Sequence, residues 1–372
     1  MKKKNLLHLF YVLLCVAVVS CSKNDTRDLS PINGSKGAMN AASLPANYSN
    51  GFFIANEGWF GHENGDLYFY SYSGDSLVPN VYKAANPSDS LGAPTNTLQY
   101  ATIFNGKMYI VVKAGGPLVV TDATTMVQSG RINSLPANDG HTFLGIDASR
   151  GLLSTGDGVY PLALPGLTLG TKLSSVSGYT GDMTLAGNYI FALSQTDGIV
   201  ALNSTNYSLV RNLGQANLAF AIAKEGSVWA ATADSLVRID ASTLARSAVK
   251  LPVSIPSPWG AWRHAGICAS TVDNVVFLPA NNGFAGGTKV YRYVIGDITS
   301  LNTPFITLPS GQYFYGCGIA YNKATNELVA TTINGPYTGN INRILIYDAS
   351  SGALKKTITY NGWYFPAMPV FR

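Results

Sequence analysis

Hydrophobic residues run through the chain in short stretches of five to eight, punctuated by Gly, Asn, Asp and Ser. None has the length or the 3.6-residue spacing of a long amphipathic helix after position 50. One piece recurs, a strand that ends in Asp or Asn and runs into a small-residue turn. It reads LVVTDATT at Leu118–Thr125, IVALNSTN at Ile199–Asn206, LVRIDAST at Leu236–Thr243 and ILIYDASS at Ile344–Ser351. Degenerate copies stand at Leu67–Ser73, Val159–Leu164 and Val290–Ile295. A short acidic or amide side chain followed by Ala or Ser and then Thr or Ser suits a turn, because its oxygen can bond the backbone two residues on. Anchored at that position the copies fall at residues 71, 122, 163, 203, 240, 294 and 348. That spacing matches a repeat of about 40–50 residues, the size of a four-stranded propeller blade.

Each copy has an apolar strand before it, as in Lys107–Lys113, Tyr189–Ser194, Ser227–Thr232, Asn274–Pro279 and Glu327–Thr332. A further strand rich in small residues precedes that one: Tyr100–Phe104, Leu144–Ala148, Met183–Ala186, Phe220–Ala223, Gly266–Ala269 and Gly318–Tyr321. Small residues suit a position where strands converge on an axis. Four antiparallel strands in seven copies predict an all-β, seven-bladed propeller. The first copy begins at Gly51–Asn56 with no inner strand of its own, and Phe365–Phe371 is left over at the end. The C-terminal strand is therefore expected to complete blade 1, which removes an open sheet edge. Two stacked β-sandwiches are the alternative, disfavoured because the repeat runs evenly through their boundary.

The first 50 residues follow another pattern. Lys2-Lys3-Lys4 precede an apolar run from Leu6 to Val19, which is the layout of a signal peptide and is short for a membrane span. Val18-Val19-Ser20-Cys21 resembles the lipobox of bacterial lipoproteins, which implies cleavage before Cys21 and lipidation of that residue. The expected organisation is a signal peptide at 1–20, the lipidated cysteine and a flexible polar tether at 21–49, and a propeller at 50–372. The formal charge of +5 falls to 22 basic against 20 acidic residues once the three leader lysines are set aside. With no basic stripe, nucleic acid is a poor partner. Of four cysteines, only Cys268 and Cys317 remain for the fold, as two buried thiols in preference to a disulfide. No CxxC and no histidine pair at ligand spacing points to zinc.

Loops between blades, and those between second and third strands, open on one face of a propeller. Sorted this way, that face collects Tyr100, Phe143, Tyr179, Phe220, Trp259, Trp262, Tyr313, Phe314, Tyr315, Trp363 and Tyr364, joined by Trp59, Phe60, Phe284 and Tyr337. Such a rim suits a large, flat, partly apolar ligand. About half of these rings are expected to pack, with Trp59, Trp259, Trp262 and Trp363 as exposed platforms. Polar groups accompany them, most densely at Trp262-Arg263-His264 and again at His141. The ligand-binding candidates are Trp59, Phe60, His141, Tyr179, Trp259, Trp262, Arg263, His264, Tyr315 and Trp363. Gly-x-Ser-x-Gly, a P-loop and paired carboxylates are absent, so a binding protein without catalytic residues, metal or cofactor is expected. The runner-up is a lactonase-like enzyme with calcium on Asn56, Glu57 and Asp182.

Phe53–Tyr70 reads FIANEGWFGHENGDLYFY. Together with Trp259-Gly-Ala-Trp262, Phe314-Tyr-Gly316 and Trp363-Tyr-Phe-Pro366, it resembles the opening blade and later motifs of the DUF5074 propeller lipoproteins of Gram-negative gut anaerobes. That family is similar to the YncE-like surface propellers, one branch of which captures cobalamin and passes it to a TonB-dependent transporter. The resemblance implies an outer-membrane lipoprotein facing the cell surface, held to the membrane by its lipid alone. It implies a corrinoid ligand delivered to such a transporter; a glycan, which also stacks on Trp and Tyr, is the alternative that the aromatic rim itself allows.

Overall fold

The structure is a computed structural model that describes residues 47–259, 262–280, 286–335 and 340–372. The expected signal peptide, Cys21, most of the tether, Phe284 and Tyr337 lie outside the described residues. Among the described residues, twenty-eight strands form seven antiparallel four-stranded sheets. Six blades take their strands in sequence order from the axis outward. Blade 1 is built from both ends of the chain, in the order Pro366–Val370, Gly51–Asn56, Asp66–Ser71, Ser76–Val78. The closing strand pairs antiparallel with the second strand, Phe53 opposite Val370 and Ala55 opposite Met368. The architecture is the predicted one: an all-β, seven-bladed propeller whose first blade is completed by the C-terminal strand.

The core explains why second strands such as FFIAN and KMYIVVK are apolar without alternation. Seven hydrophobic clusters occur, one at each junction between neighbouring blades. Phe52 and Ile54 face blade 7, while Phe53 and Ala55, on the other side of the same strand, face blade 2. Met108 and Ile110 turn to blade 1, and Tyr109 and Val111 to blade 3. Each inner sheet is covered on both faces, so both parities must be apolar. Each fully buried side chain contributes about 1.5–3 kcal/mol.

The recurring Asp or Asn turn forms as its chemistry dictates. The Oδ1 atoms of Asp122, Asn203, Asp240 and Asp348 each accept from the backbone N–H groups two and three residues on, at 2.8–3.2 Å. A fifth residue in left-handed conformation then closes the turn, bonding its N–H to the carbonyl of the first: Met126, Tyr207, Leu244 and Gly352.

The inner strands carry the feature that shapes the functional face. In six of the seven blades the pairing of inner with second strand slips near one end: at Leu98/Tyr100, Gly140/Phe143, Thr180/Met183, Ala219/Ala221, Phe314/Ile319 and Ala55/Asn56. A bulge adds residues to one strand and re-aims their side chains. The slipped residues include Gln99, His141, Asp182 and Tyr315, all at the mouth of the channel.

Candidate functional site

At the channel mouth the slipped residues meet one another. Glu57, buried, accepts from Gln99 Nε2 at 2.8 Å and Tyr315 OH at 2.7 Å. Burial pushes its carboxyl above the usual range, against the pull of those two bonds and of the Lys113 and Arg263 charges. Lys113, lowered by its own burial, donates to the Trp262 carbonyl at 2.6 Å. His141 is fully buried, with Nδ1 2.6 Å from the Thr180 carbonyl and Nε2 3.2 Å from Asp139 Oδ2, close but without an aligned hydrogen bond. Burial works to raise Asp139, yet the His141 ring at 3.2 Å, the Ala114 N–H and the Lys113 charge hold it below the usual carboxylate range. His264 Nδ1 sits 2.5 Å from Asp182 Oδ1, whose other oxygen accepts from the Ala265 N–H at 3.2 Å. Six blades thus contribute to one polar network.

A ring chain covers this network. Trp262 lies 4.6 Å from His141, His141 4.4 Å from Tyr179, and Tyr179 5.7 Å from Trp259. Trp262 is 1% exposed, so the expectation of an exposed platform there is corrected: it is a plug. Its seat exists because residue 181 is glycine; a Cβ there would stand 2.3 Å from the indole nitrogen. His141 and Tyr315 are likewise interior, which corrects their assignment to a ligand-facing rim. Trp259, Tyr179, Arg263 and His264 are half-buried. Beside them a small recess of about 20 Å³ is lined by Asp182, Asn217, Pro258, Arg263, His264 and Cys317. Cys268 and Cys317 are free thiols, Cys317 pushed up to about 12 by burial. Tyr100, Phe143, Phe220, Phe314 and Tyr315 belong to inner strands, not to loops.

The calcium alternative finds no support in this geometry. Asn56 bonds Tyr360 OH and strand carbonyls, Glu57 bonds Gln99 and Tyr315, and Asp182 bonds His264, so the three do not converge. Among the described residues no three metal-ligating side chains gather.

Exposed aromatics lie elsewhere, on the rim of blade 1. Trp59 is 37% and Phe60 63% exposed. Trp59 stacks on His62 at 3.7 Å and on Trp363 at 4.8 Å. Their turn is fixed by the Gly61 N–H bond to the Pro94 carbonyl. Phe365 joins this group to the mouth, 6.0 Å from Trp363 and 5.2 Å from Tyr315. The ten candidates therefore fall into two groups, seven at the mouth and three on the rim.

Beside Tyr364, the chain neighbour of Trp363, is a recess of about 280 Å³ that the sequence reading did not anticipate. Its walls come from the loop after Gly51–Asn56, from Tyr364, and from the long connection that carries the helix Val81–Ala85. Its only sequence signal is the length of chain between Val78 and Thr97, a polar stretch interrupted by that helix.

Fold and site together define a seven-bladed propeller with an aromatic, polar loop face and a structurally plugged channel. The chain belongs to the family described as a domain of unknown function, DUF5074, whose profile matches residues 50–372. Among curated proteins none matches the sequence. Solved structures share the fold. A quinonprotein alcohol dehydrogenase-like protein from Bacteroides thetaiotaomicron is 19% identical with a TM-score of 0.70, over 87% of this chain and 79% of that one. A protein from Lactobacillus plantarum is 12% identical with a TM-score of 0.58, over 86% and 98%. The extracellular domain of a protein described as a hybrid two-component system, also from B. thetaiotaomicron, is 14% identical with a TM-score of 0.51, over 75% and 35%.

Proposed function

We propose that the protein is a lipid-anchored capture protein of the cell surface that binds a glycan on the blade 1 rim and does no chemistry on it. The observation that carries this reading is the exposed Trp59–Phe60 turn, with Trp59 stacked on Trp363, whose chain neighbour Tyr364 lines a polar recess of about 280 Å³. Partly apolar rings beside convergent polar groups are what a sugar ring needs, an apolar face and hydroxyl partners. The leader and Cys21 supply the anchor, and an extracellular domain among the structures of like fold is consistent with that placement. Delivery to a TonB-dependent outer-membrane transporter is the matching physiological step.

A corrinoid is the weaker ligand on this geometry. Its platform was to be Trp262, which is buried. The mouth recess holds only about 20 Å³, far below the roughly 300–1,000 Å³ of pockets for drug-sized ligands, whereas a corrinoid has on the order of 90 non-hydrogen atoms. The titratable groups at the mouth are taken up by protein partners, Glu57 by Gln99 and Tyr315, Lys113 by the Trp262 carbonyl and Asp182 by His264, which favours a structural role for them over catalysis.

Calorimetry of the full-length protein with an oligosaccharide panel and with cyanocobalamin tests the reading. At least one oligosaccharide is expected to bind, and Trp59→Ala to weaken it by about 30-fold, the loss of a central aromatic contact. Heat with cyanocobalamin alone would reverse the order of the two ligands.

A further inference from the structure

Trp59 is the central ring of the rim, yet both faces of its indole are taken. His62 lies 3.7 Å from it and Trp363 4.8 Å, each at 20° to its plane. Two rings so close and so nearly parallel to the same indole face would occupy one volume. His62 and Trp363 therefore cover opposite faces. That leaves a sugar the edge of Trp59, whereas stacking needs a face. A ligand that stacks on Trp59 must first remove one of the two covers.

The covers are held differently. Trp363 is half-buried in a segment bonded on both sides. The Gly362 N–H donates to the Asn340 carbonyl at 2.8 Å, Asn342 Nδ2 donates to the Gly362 carbonyl at 2.9 Å, and Tyr364 OH bonds Glu63 Oε2 at 3.2 Å. Phe365 supports the Trp363 ring from the side, 6.0 Å away. His62 is fixed only through its backbone. Its N–H and that of Glu63 both donate to the Trp59 carbonyl, at 2.9 and 3.0 Å, and the Gly61 N–H donates to the Pro94 carbonyl. Its ring is exposed and, among the described residues, makes no hydrogen bond; the Trp59 face is its partner. Exposed side chains change rotamer within nanoseconds, so this cover can leave without moving the chain.

We propose that His62 is a built-in competitor of the ligand: its imidazole occupies the Trp59 face on which a sugar stacks, and the ligand binds by displacing it while Trp363 stays behind as the backing ring. The proposal rests on the glycan reading above and adds how the same site is regulated. A site that is open for only a fraction of the time binds more weakly by that fraction. One aromatic stack, with no hydrogen bond added, biases the site toward the covered arrangement by about three- to tenfold.

The test uses full-length wild type, His62→Ala, His62→Phe and Trp59→Ala. Each is titrated by calorimetry with neutral hexasaccharides of glucose, mannose and xylose, and its tryptophan fluorescence is quenched with acrylamide in the absence of saccharide. His62→Ala is expected to bind the best hexasaccharide about three- to tenfold more tightly than wild type, with more quenching and an unmoved melting point. His62→Phe restores a ring over Trp59 and should reverse both changes, which a residue that only shapes the turn would not do. If His62→Ala binds no better than wild type while Trp59→Ala weakens binding, the competitor role is overturned and the glycan reading stands. Unchanged quenching in His62→Ala means that the ring does not cover Trp59 in solution, which overturns the proposal whatever the saccharides do. If no hexasaccharide binds either wild type or His62→Ala, the glycan reading and the proposal fall together.

Discussion

At the scale of single residues, Asp66 gives the protein a pH response opposite to that of its turns. Burial raises its pKa to about 6, against the backbone bonds of Leu67, Lys83 and Tyr82. In the unfolded chain it titrates near 3.9. Its contribution to stability is therefore present in full below pH ~4 and is lost as pH rises through 6, a change of about 2–3 kcal/mol. Glu57, also raised by burial, acts in the same direction. The turn carboxylates are lowered by the hydrogen bonds they accept, at Asp122 chiefly from Thr125 and at Asp348 from Ser351, so their contribution is lost as pH falls below ~4. Thermal melts should give highest stability near pH 4–5 with a decline toward 7, and Asp66→Asn should flatten that decline. A melting point that climbs steadily from pH 4.5 to 7.5 would refute the desolvated Asp66. The same scale shows where sequence reading stops. Trp59 and Trp262 sit in similar short runs of aromatic and small residues, yet one is exposed and the other plugs the channel. The difference is made by Gly181, a residue of another blade that leaves room for the Trp262 ring, and no local pattern carries that information.

At the scale of elements, three of the second strands were legible to the residue, and those of blades 5, 6 and 7 to within one or two residues. Gly51–Asn56, Lys107–Lys113 and Tyr189–Ser194 have the same bounds in sequence and structure, because burial on both faces writes an unbroken apolar run. Four inner strands were read too short. They begin at Thr97, Gly140, Thr180 and Gln312, several residues before the apolar segments at Tyr100, Leu144, Met183 and Gly318. The missing residues are those of the bulges, whose polar side chains look like loop and in fact face the channel mouth. Turns were legible because their chemistry is local. Asn203 accepts from Thr205 N–H at 2.8 Å and Asn206 N–H at 3.2 Å. Asn203→Ala leaves both donors to solvent and should cost about 1 kcal/mol in denaturant unfolding, comparable to loss of a helix cap. An unchanged midpoint would mean that the backbone bond from Tyr207 N–H to the Asn203 carbonyl holds the turn alone.

At the scale of the whole molecule, stability depends on a ring whose two ends share one sheet. Residues Pro366–Val370 are buried along their full length. They lie on the axis side of Gly51–Asn56, and the Phe365 carbonyl accepts from the Glu57 N–H at 2.9 Å. Arg372 reaches past the junction to the carbonyls of Tyr48 and Ala123, tying the C-terminus to blade 2 as well. Met368 and Val370 belong to the cluster between blades 1 and 2. Their burial alone is worth about 3–6 kcal/mol, a large part of the ~5–15 kcal/mol that holds a typical domain together. Removing residues 365–372 would also leave the edge of Phe53–Asn56 unpaired within the channel wall, where water cannot replace the strand on both sides. The truncated protein should therefore melt far below wild type or fail to close. A separate peptide of residues 365–372, added in trans, should recover part of the loss by occupying the vacated edge. Melting of the truncated chain within a degree or two of wild type would show that the seven junctions hold the ring without the shared blade.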